Sequence, residues 1–499
     1  MRRFPLILVA VALIPLVACE RQESSDSAAM TEGAADFPVT TESAEARDHF
    51  DQGRQAADMG RFDDAILHYD AAIAADPTFA YAHLERANAG NSLEEFQAHL
   101  AHAEENAAGA SESERILIEI ARRGLDGDLP GQLAAAQRLT EAQGANPRAW
   151  MALAGAQSAN SDEAAARASL DRAVELAPGF APAHMALANS WLFLEPRDFA
   201  MAQTHAERAA ELAPEEAVPQ DILGDVYRAQ GQLEEAAAAY GRTAELDPES
   251  GAGYQQRAHV HSFLGDYAAA RADYDAAIEI EKGKNAEPSF GVYRSLVSVH
   301  EGNPAAAITE LEELLGRIDG MGVPGARGQK IFTLNTIARI AMHSGNGPAA
   351  ASAIERRDVL LAEQGEVIGN ESARRFARAV AALSQGELAA YSGDYATATA
   401  KATEYMTIME PDTDPAKDEP AHALLGYVTL QQGNAEEAIA HFEQANPDDV
   451  YAWYYRATAL EAAGRADEAK ALFGQVATNN FNSPELALVR SDATAKAGS

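Results

Sequence analysis

Cysteine occurs once in 499 residues, at position 19. The rest of the chain therefore folds without a disulfide, and packing alone holds it together. Positive charge is scarce too: 39 Lys and Arg stand against 76 Asp and Glu, a formal net charge of −37. Such an excess repels phosphate backbones, and nucleic acid needs a dense basic patch. The short cluster Arg374, Arg375 and Arg378 reads instead as a solvated helix face. No strand pattern of any length breaks the helical series. An acidic surface of this kind favours solubility and basic partners.

The lone cysteine stands where an export signal would end. Arg2 and Arg3 precede an almost wholly apolar run at 4–18, and Cys19 follows the small Ala18. The run is too short and wrongly flanked for a spanning helix. Its end, "LVAC", resembles the lipobox of bacterial lipoproteins. That resemblance implies a signal peptide at 1–18, cleavage before Cys19, and acylation of its thiol and then its amine. A twin-arginine reading is weaker, because two arginines also make an ordinary n-region. Glu20 is not the aspartate that commonly retains lipoproteins at the inner membrane. The expectation is therefore the outer membrane, facing the periplasm, with the inner membrane as the alternative. Cleavage would remove Arg2 and Arg3 and move the formal charge from −37 to about −39. Residues 19–41 then read as a lipidated cysteine and a flexible tether, poor in large apolar side chains. A coil of that length reaches roughly 25 Å.

Beyond the tether, punctuation recurs about every 34 residues. Pro178, Pro214 and Pro248 follow this spacing, as do Gly231 and Gly265. Aligned on it, 217–250 and 251–284 each read as two amphipathic helices joined at a glycine. Small residues such as Gly53, Gly224, Ala258 and Gly426 recur in first helices, where two helices approach closely. Ala65, Ala236, Ala270 and Ala438 recur in second helices, with Tyr69, Tyr240, Tyr274 and Phe442 four positions on, expected to fill the space between neighbouring hairpins.

These residues resemble the tetratricopeptide repeat, whose pattern runs W-x2-L-G-x2-Y and then Ala, Phe, Ala and Pro. Trp150 and Trp453 stand at its tryptophan position. Clear copies cover 46–79, 147–180, 181–216, 217–250, 251–284, 419–449 and 450–483, and weaker ones 288–321, 331–364 and 379–412. The resemblance implies an all-α chain, an α-α superhelix or solenoid at 42–484, irregular at 80–146 and 285–418, with a tail at 485–499. Segment 80–146 is expected to hold one or two degenerate hairpins. Each hairpin leaves a face that only a neighbour covers, so stacking creates a concave side.

In repeats of this kind the concave side draws on set first-helix positions. Carried onto this chain, they give Phe50 and Arg54, then Met151, Gly155 and Ser158. The third clear repeat gives Met185, Asn189, Leu192 and Phe193, and the next gives Asp221, Asp225 and Arg228. Gln255, His259, Ser262 and Phe263 follow, then Tyr427, Leu430 and Gln431, and Tyr454, Thr458 and Glu461. Several of the apolar ones would serve equally to pack repeats together. Asn189 lacks the lysines of a carboxylate clamp, so a mixed apolar and acidic groove for a protein or peptide segment is favoured.

Catalytic signatures are wanting. "GMGVPG" at 320–325 matches G-x-G-x-x-G, but no strand precedes it and a proline sits inside it. His99 and His102 could share a helix face, yet no third-ligand spacing accompanies them, and neither metal nor cofactor is expected. No G-x-S-x-G occurs, and the carboxylates do not sort into an acid and base pair. The sequence thus predicts a noncatalytic, membrane-anchored adaptor that binds proteins in periplasmic envelope assembly or secretion. It touches the membrane through lipid alone and binds no nucleic acid. The alternative is a carbohydrate-handling module for polysaccharide export or cell-wall processing, with sugars stacking on Tyr427, Tyr454 or Trp453.

Overall fold

The computed structural model describes residues 36–90, 92–323, 325–412 and 414–498. The predicted signal peptide, Cys19 and most of the tether lie outside them. The chain divides into two units, Met1–Gly253 and Tyr254–Ser499. Among the described residues both are all-α, built of antiparallel helix pairs, and no helix there is long and apolar enough to cross a membrane.

Unit 1 holds six hairpins: α1 (Ala44–Asp58) with α2 (Phe62–Ala75), α3 (Ala80–Ala89) with α4 (Leu93–Asn106), and α5 (Glu112–Leu125) with α6 (Leu129–Ala142). Then come α7 (Pro147–Ala159) with α8 (Glu163–Leu176), α9 (Ala181–Phe193) with α10 (Phe199–Leu212), and α11 (Ala217–Ala229) with α12 (Leu233–Leu246). Segment 80–146 thus forms two full hairpins, α3/α4 and α5/α6.

Unit 2 holds α13 (Ala252–Leu264) with α14 (Tyr267–Ile280), α15 (Glu287–His300) with α16 (Pro304–Met321), and α17 (Ala326–His343) with α18 (Gly347–Ile368). After these come α19 (Glu371–Tyr391) with α20 (Tyr395–Met409), α21 (Glu419–Gln431) with α22 (Ala435–Phe442), and α23 (Val450–Ala462) with α24 (Ala466–Thr478). Helix α25 (Pro484–Gly498) ends the chain. The stretch read as a tail at 485–499 is therefore helical through Gly498. It packs on α24 and also on α15, α17 and α23.

Local chemistry sets these boundaries. Ser111 caps α5 in a reciprocal capping box with Glu114, and Asp162, Asp198 and Asn303 cap α8, α10 and α16 through side-chain oxygens. The turn between α11 and α12 needs a left-handed residue and has Gly231 at φ 76°. Its counterpart between α7 and α8 is Ser161 at φ 60°.

Small and large residues interlock inside each hairpin. A Cβ on Gly224 would stand 2.6 Å from the Tyr240 ring, and one on Gly53 2.7 Å from Tyr69. Gly426 faces Phe442 in the same way at 2.9 Å. The large residue thus presses on the glycine of its own hairpin. Tyr69, Tyr240 and Tyr274 are wholly buried.

First helices touch the first helices of successive hairpins: α9 meets α11, α15 meets α17, and α17, α19, α21 and α23 form one continuous series. They make the inner layer of each solenoid. In unit 1 the ends of the solenoid meet, since the α1/α2 turn at Gly60 abuts Val218 and Arg61 Nε lies 3.2 Å from Glu216 Oε2.

Candidate binding cleft

In unit 1 the segment before α1 docks on the first helices. Asp36 pairs with Arg54 of α1 at 2.8 Å and with Arg148 of α7 at 3.0 Å, and Phe37 is buried in the α1–α7 core. The Thr40 amide donates to Glu114 Oε1 at 3.1 Å and its hydroxyl to Oε2, while the Thr41 hydroxyl donates to Asp76 at 2.6 Å. The predicted tether at 19–41 is corrected at its end: residues 36–41 are held by α1, α2, α5 and α7. Composition suggested a tether; buried partners far along the chain decide otherwise.

The predicted groove residues separate into groups. Met185 and Leu192 are buried with Ile222 and Val226, joining the hairpins of α9 and α11. Asn189 and Phe193 on the same helix are exposed. Asp221, Asp225 and Arg228 do come together: Arg228 pairs with Asp225 at 2.5 Å, and the Tyr240 hydroxyl donates to Asp225 at 2.7 Å. Burial, then the neighbouring Asp225 charge, pushes Asp221 up to about 7, against the opposite pull of Arg228.

In unit 2, Gln255 is half-buried, and His259 and Phe263 are covered by the end of the chain. His259 Nδ1 lies 2.6 Å from the Tyr274 hydroxyl and 3.0 Å from Asn482 Nδ2, and the Arg490 guanidinium sits 4.3 Å over Phe263. The Tyr454 hydroxyl donates to Asp492 of α25 at 2.6 Å. These three positions are corrected as open groove residues, because the segment 482–492 occupies the groove there.

One part of this inner layer keeps a cleft, between α17, α19, α21, α23 and the start of α25. Of the predicted groove residues it contains Tyr427. Tyr427 stacks on Tyr391 with ring centroids 4.7 Å apart, and Tyr455 meets Tyr427 edge-on at 5.0 Å. The hydroxyls of Tyr391 and Tyr455 lie 3.2 Å apart, and that of Tyr451 lies 2.7 Å from His343 Nδ1.

Charge enters from opposite walls. Arg339 of α17 contacts Glu387 of α19 at 3.2 Å and Glu485 of α25 at 3.3 Å, with its guanidinium 5.3 Å from the Tyr451 ring centre. Burial alone would lower the Arg339 pKa, but the two glutamates outweigh it and keep the guanidinium charged. Asp449, which caps α23 by accepting from the Tyr451 amide at 2.8 Å, is pushed up by burial. Burial raises Tyr427 to about 12, so its phenol stays neutral.

Sequence reading passed over Arg339, Glu387, Tyr391, Asp449, Tyr451, Tyr455 and Glu485. Helices α17 and α19 have 18 and 21 residues, so the 34-residue register is lost there. The available signal was the aromatic run "YAWYY" at 451–455.

The remaining motifs are structural in their surroundings. Arg375 pairs with Asp412 at 3.1 Å and Arg378 with Glu371 at 2.8 Å. "GMGVPG" joins α16 to α17, with Gly322 left-handed at φ 73°. His99 and His102 both face the His83 ring, and among the described residues no group of three or more His, Cys, Asp or Glu is arranged to hold a metal.

Four stretches match the tetratricopeptide repeat family: 50–112, 221–250, 252–283 and 429–492. The chain is a tetratricopeptide-repeat protein. The first match reaches into the segment read as degenerate, in keeping with the complete α3/α4 hairpin. No curated protein matches the sequence. Solved structures similar to parts of this tetratricopeptide-repeat chain include MamA from Desulfovibrio magneticus RS-1, 20% identical over 34% of this chain and 94% of that one, with a TM-score of 0.31. Another is YrrB, titled a TPR protein with an unusual peptide-binding site, 19% identical over 36% of this chain and 91% of that one, TM-score 0.30. Tetratricopeptide-repeat proteins are characteristically protein-binding scaffolds rather than catalysts.

Proposed function

We propose that this tetratricopeptide-repeat protein is a noncatalytic scaffold, anchored to the outer membrane by lipid on Cys19, that binds a protein partner in periplasmic envelope assembly or secretion. The observation that carries the binding part is the cleft on the inner layer of unit 2. There four successive first helices and α25 converge rings and charges on one space. The anchoring part is supported by the basic start and apolar run that end in "LVAC", and the outer-membrane part by Glu20 after the cysteine.

A sugar-binding reading has less support. The Trp453 indole donates to the Pro447 carbonyl at 2.6 Å and is half-buried against the core of the last helices, and the Tyr454 hydroxyl is held by Asp492. Only Tyr427 of the three candidate rings lines the cleft.

Fractionation of cells fed an alkyne-tagged fatty acid tests the anchoring. The expected result is label on the wild-type chain in the outer-membrane fraction, and an unlabelled Cys19→Ala chain released from it. Equal membrane retention of both would overturn the anchor.

A further inference from the structure

Proceeding from the scaffold reading above, we propose that the cleft between α17, α19, α21, α23 and α25 receives a lysine or arginine side chain from a basic segment of a partner protein. Three carboxylates, on Glu387, Asp449 and Glu485, face a single guanidinium, that of Arg339. Arg339 answers part of that charge and leaves the cleft negative, within a chain whose formal charge is −37. A basic group entering it meets both a local and a global attraction.

The walls suit such a group. The Tyr427 ring contacts the rings of Tyr391 and Tyr455, and the Tyr391 and Tyr455 hydroxyls contact each other. The faces of neutral phenols attract cations, as Arg339 over Tyr451 already shows inside the same cleft. The floor of Ala423, Leu424 and Ala452 matches the methylene stem that a lysine or arginine brings with its charge. An acidic ligand would find Arg339 engaged on both sides, and a wholly apolar one would leave the excess negative charge of the cleft unanswered.

The test is calorimetric titration of the full chain with a 15-residue Gly/Ser peptide carrying three lysines, and with its Nε-acetylated twin. Acetylation removes the charge and keeps the stem. Asp449→Asn is the decisive variant, because asparagine caps a helix as well as aspartate does. Glu211→Gln, on the exposed part of α10, makes the same change of charge in unit 1. The lysine peptide is expected to bind, the twin not to bind, and Asp449→Asn to weaken binding about fivefold while Glu211→Gln leaves it unchanged. Tyr427→Phe should bind like wild type and Tyr427→Ala more weakly. Absence of lysine-peptide binding, equal binding of the twin, or equal effects of Asp449→Asn and Glu211→Gln would each overturn the proposal. Partner crosslinks at Tyr427 in cells alongside such a result would leave the scaffold reading standing and remove only the cationic ligand.

Discussion

Arg339 Nε on α17 lies 3.3 Å from Glu485 Oε1 on α25, and its Nη1 lies 3.2 Å from Glu387 Oε1 on α19. One guanidinium therefore fastens the last helix of the chain to the inner layer of unit 2. Glu485→Gln should weaken that fastening by about 1 kcal/mol, a modest figure because all three groups are partly exposed. Hydrogen exchange followed by mass spectrometry should show faster exchange in α25 with unit 1 unchanged. Unaltered exchange in α25 would show that its apolar contacts suffice without the ion pair.

Tyr240 illustrates what holds a hairpin closed. Its wholly buried ring lies against Gly224, and its hydroxyl bonds Asp225. Tyr240→Ala should cost about 3–5 kcal/mol in urea unfolding, through the cavity it leaves and the hydrogen bond it removes. Gly224→Val should also destabilise, because its first side-chain carbon would stand 2.6 Å from the ring.

Asp221 provides a test with a definite sign. Its pKa, pushed up to about 7 by burial and by Asp225, exceeds the ordinary carboxylate value of about 3.9. The native state therefore holds a proton that the unfolded state releases, and this favourable contribution fades as pH rises from about 4 through 7. Asp221→Asn should raise stability by at least about 1 kcal/mol at pH 8 and change it little at pH 4. Thermal unfolding of both chains at the two pH values measures the difference.

Histidine has the opposite sense. His205 on α10 has Nδ1 3.2 Å from Nδ1 of His184 on α9, and burial, then His184, lowers its pKa to about 4. The unfolded chain takes up the proton near pH 6.5 and the folded one only near 4. The stability tied to neutral His205 is thus complete above about 6.5 and declines as pH falls towards 4. The gap in unfolding free energy between wild type and His205→Gln should narrow by about 1–2 kcal/mol over that window. A constant gap would contradict the assignment.

How much of this was legible beforehand follows from where the contacts come from. Gly53 with Tyr69 and Gly224 with Tyr240 lie sixteen residues apart inside one repeat, so periodicity alone locates them. Arg339 with Glu485 and Tyr451 with His343 join residues more than 100 positions apart, and no period relates them. Helix α25 lies past the last repeat read from the 34-residue spacing, although the family match at 429–492 reaches into it, and its Leu486 and Val489 are buried against α24 and its neighbours. The same applies to 36–41, whose Phe37 and Thr40 find their partners only in the assembled unit. Local chemistry thus revealed the scaffold, and the cleft emerged from the stacking.

The central claim is that a protein partner is bound on the inner layer of unit 2. Photo-crosslinking in cells tests it most directly, with a benzoyl-phenylalanine placed at Tyr427 in the cleft and, in a separate strain, at the exposed Leu67 of α2. A discrete protein adduct from position 427, absent from position 67 and diminished by Asp449→Asn, is the predicted result. The same adducts from both positions, or none from 427, would contradict it.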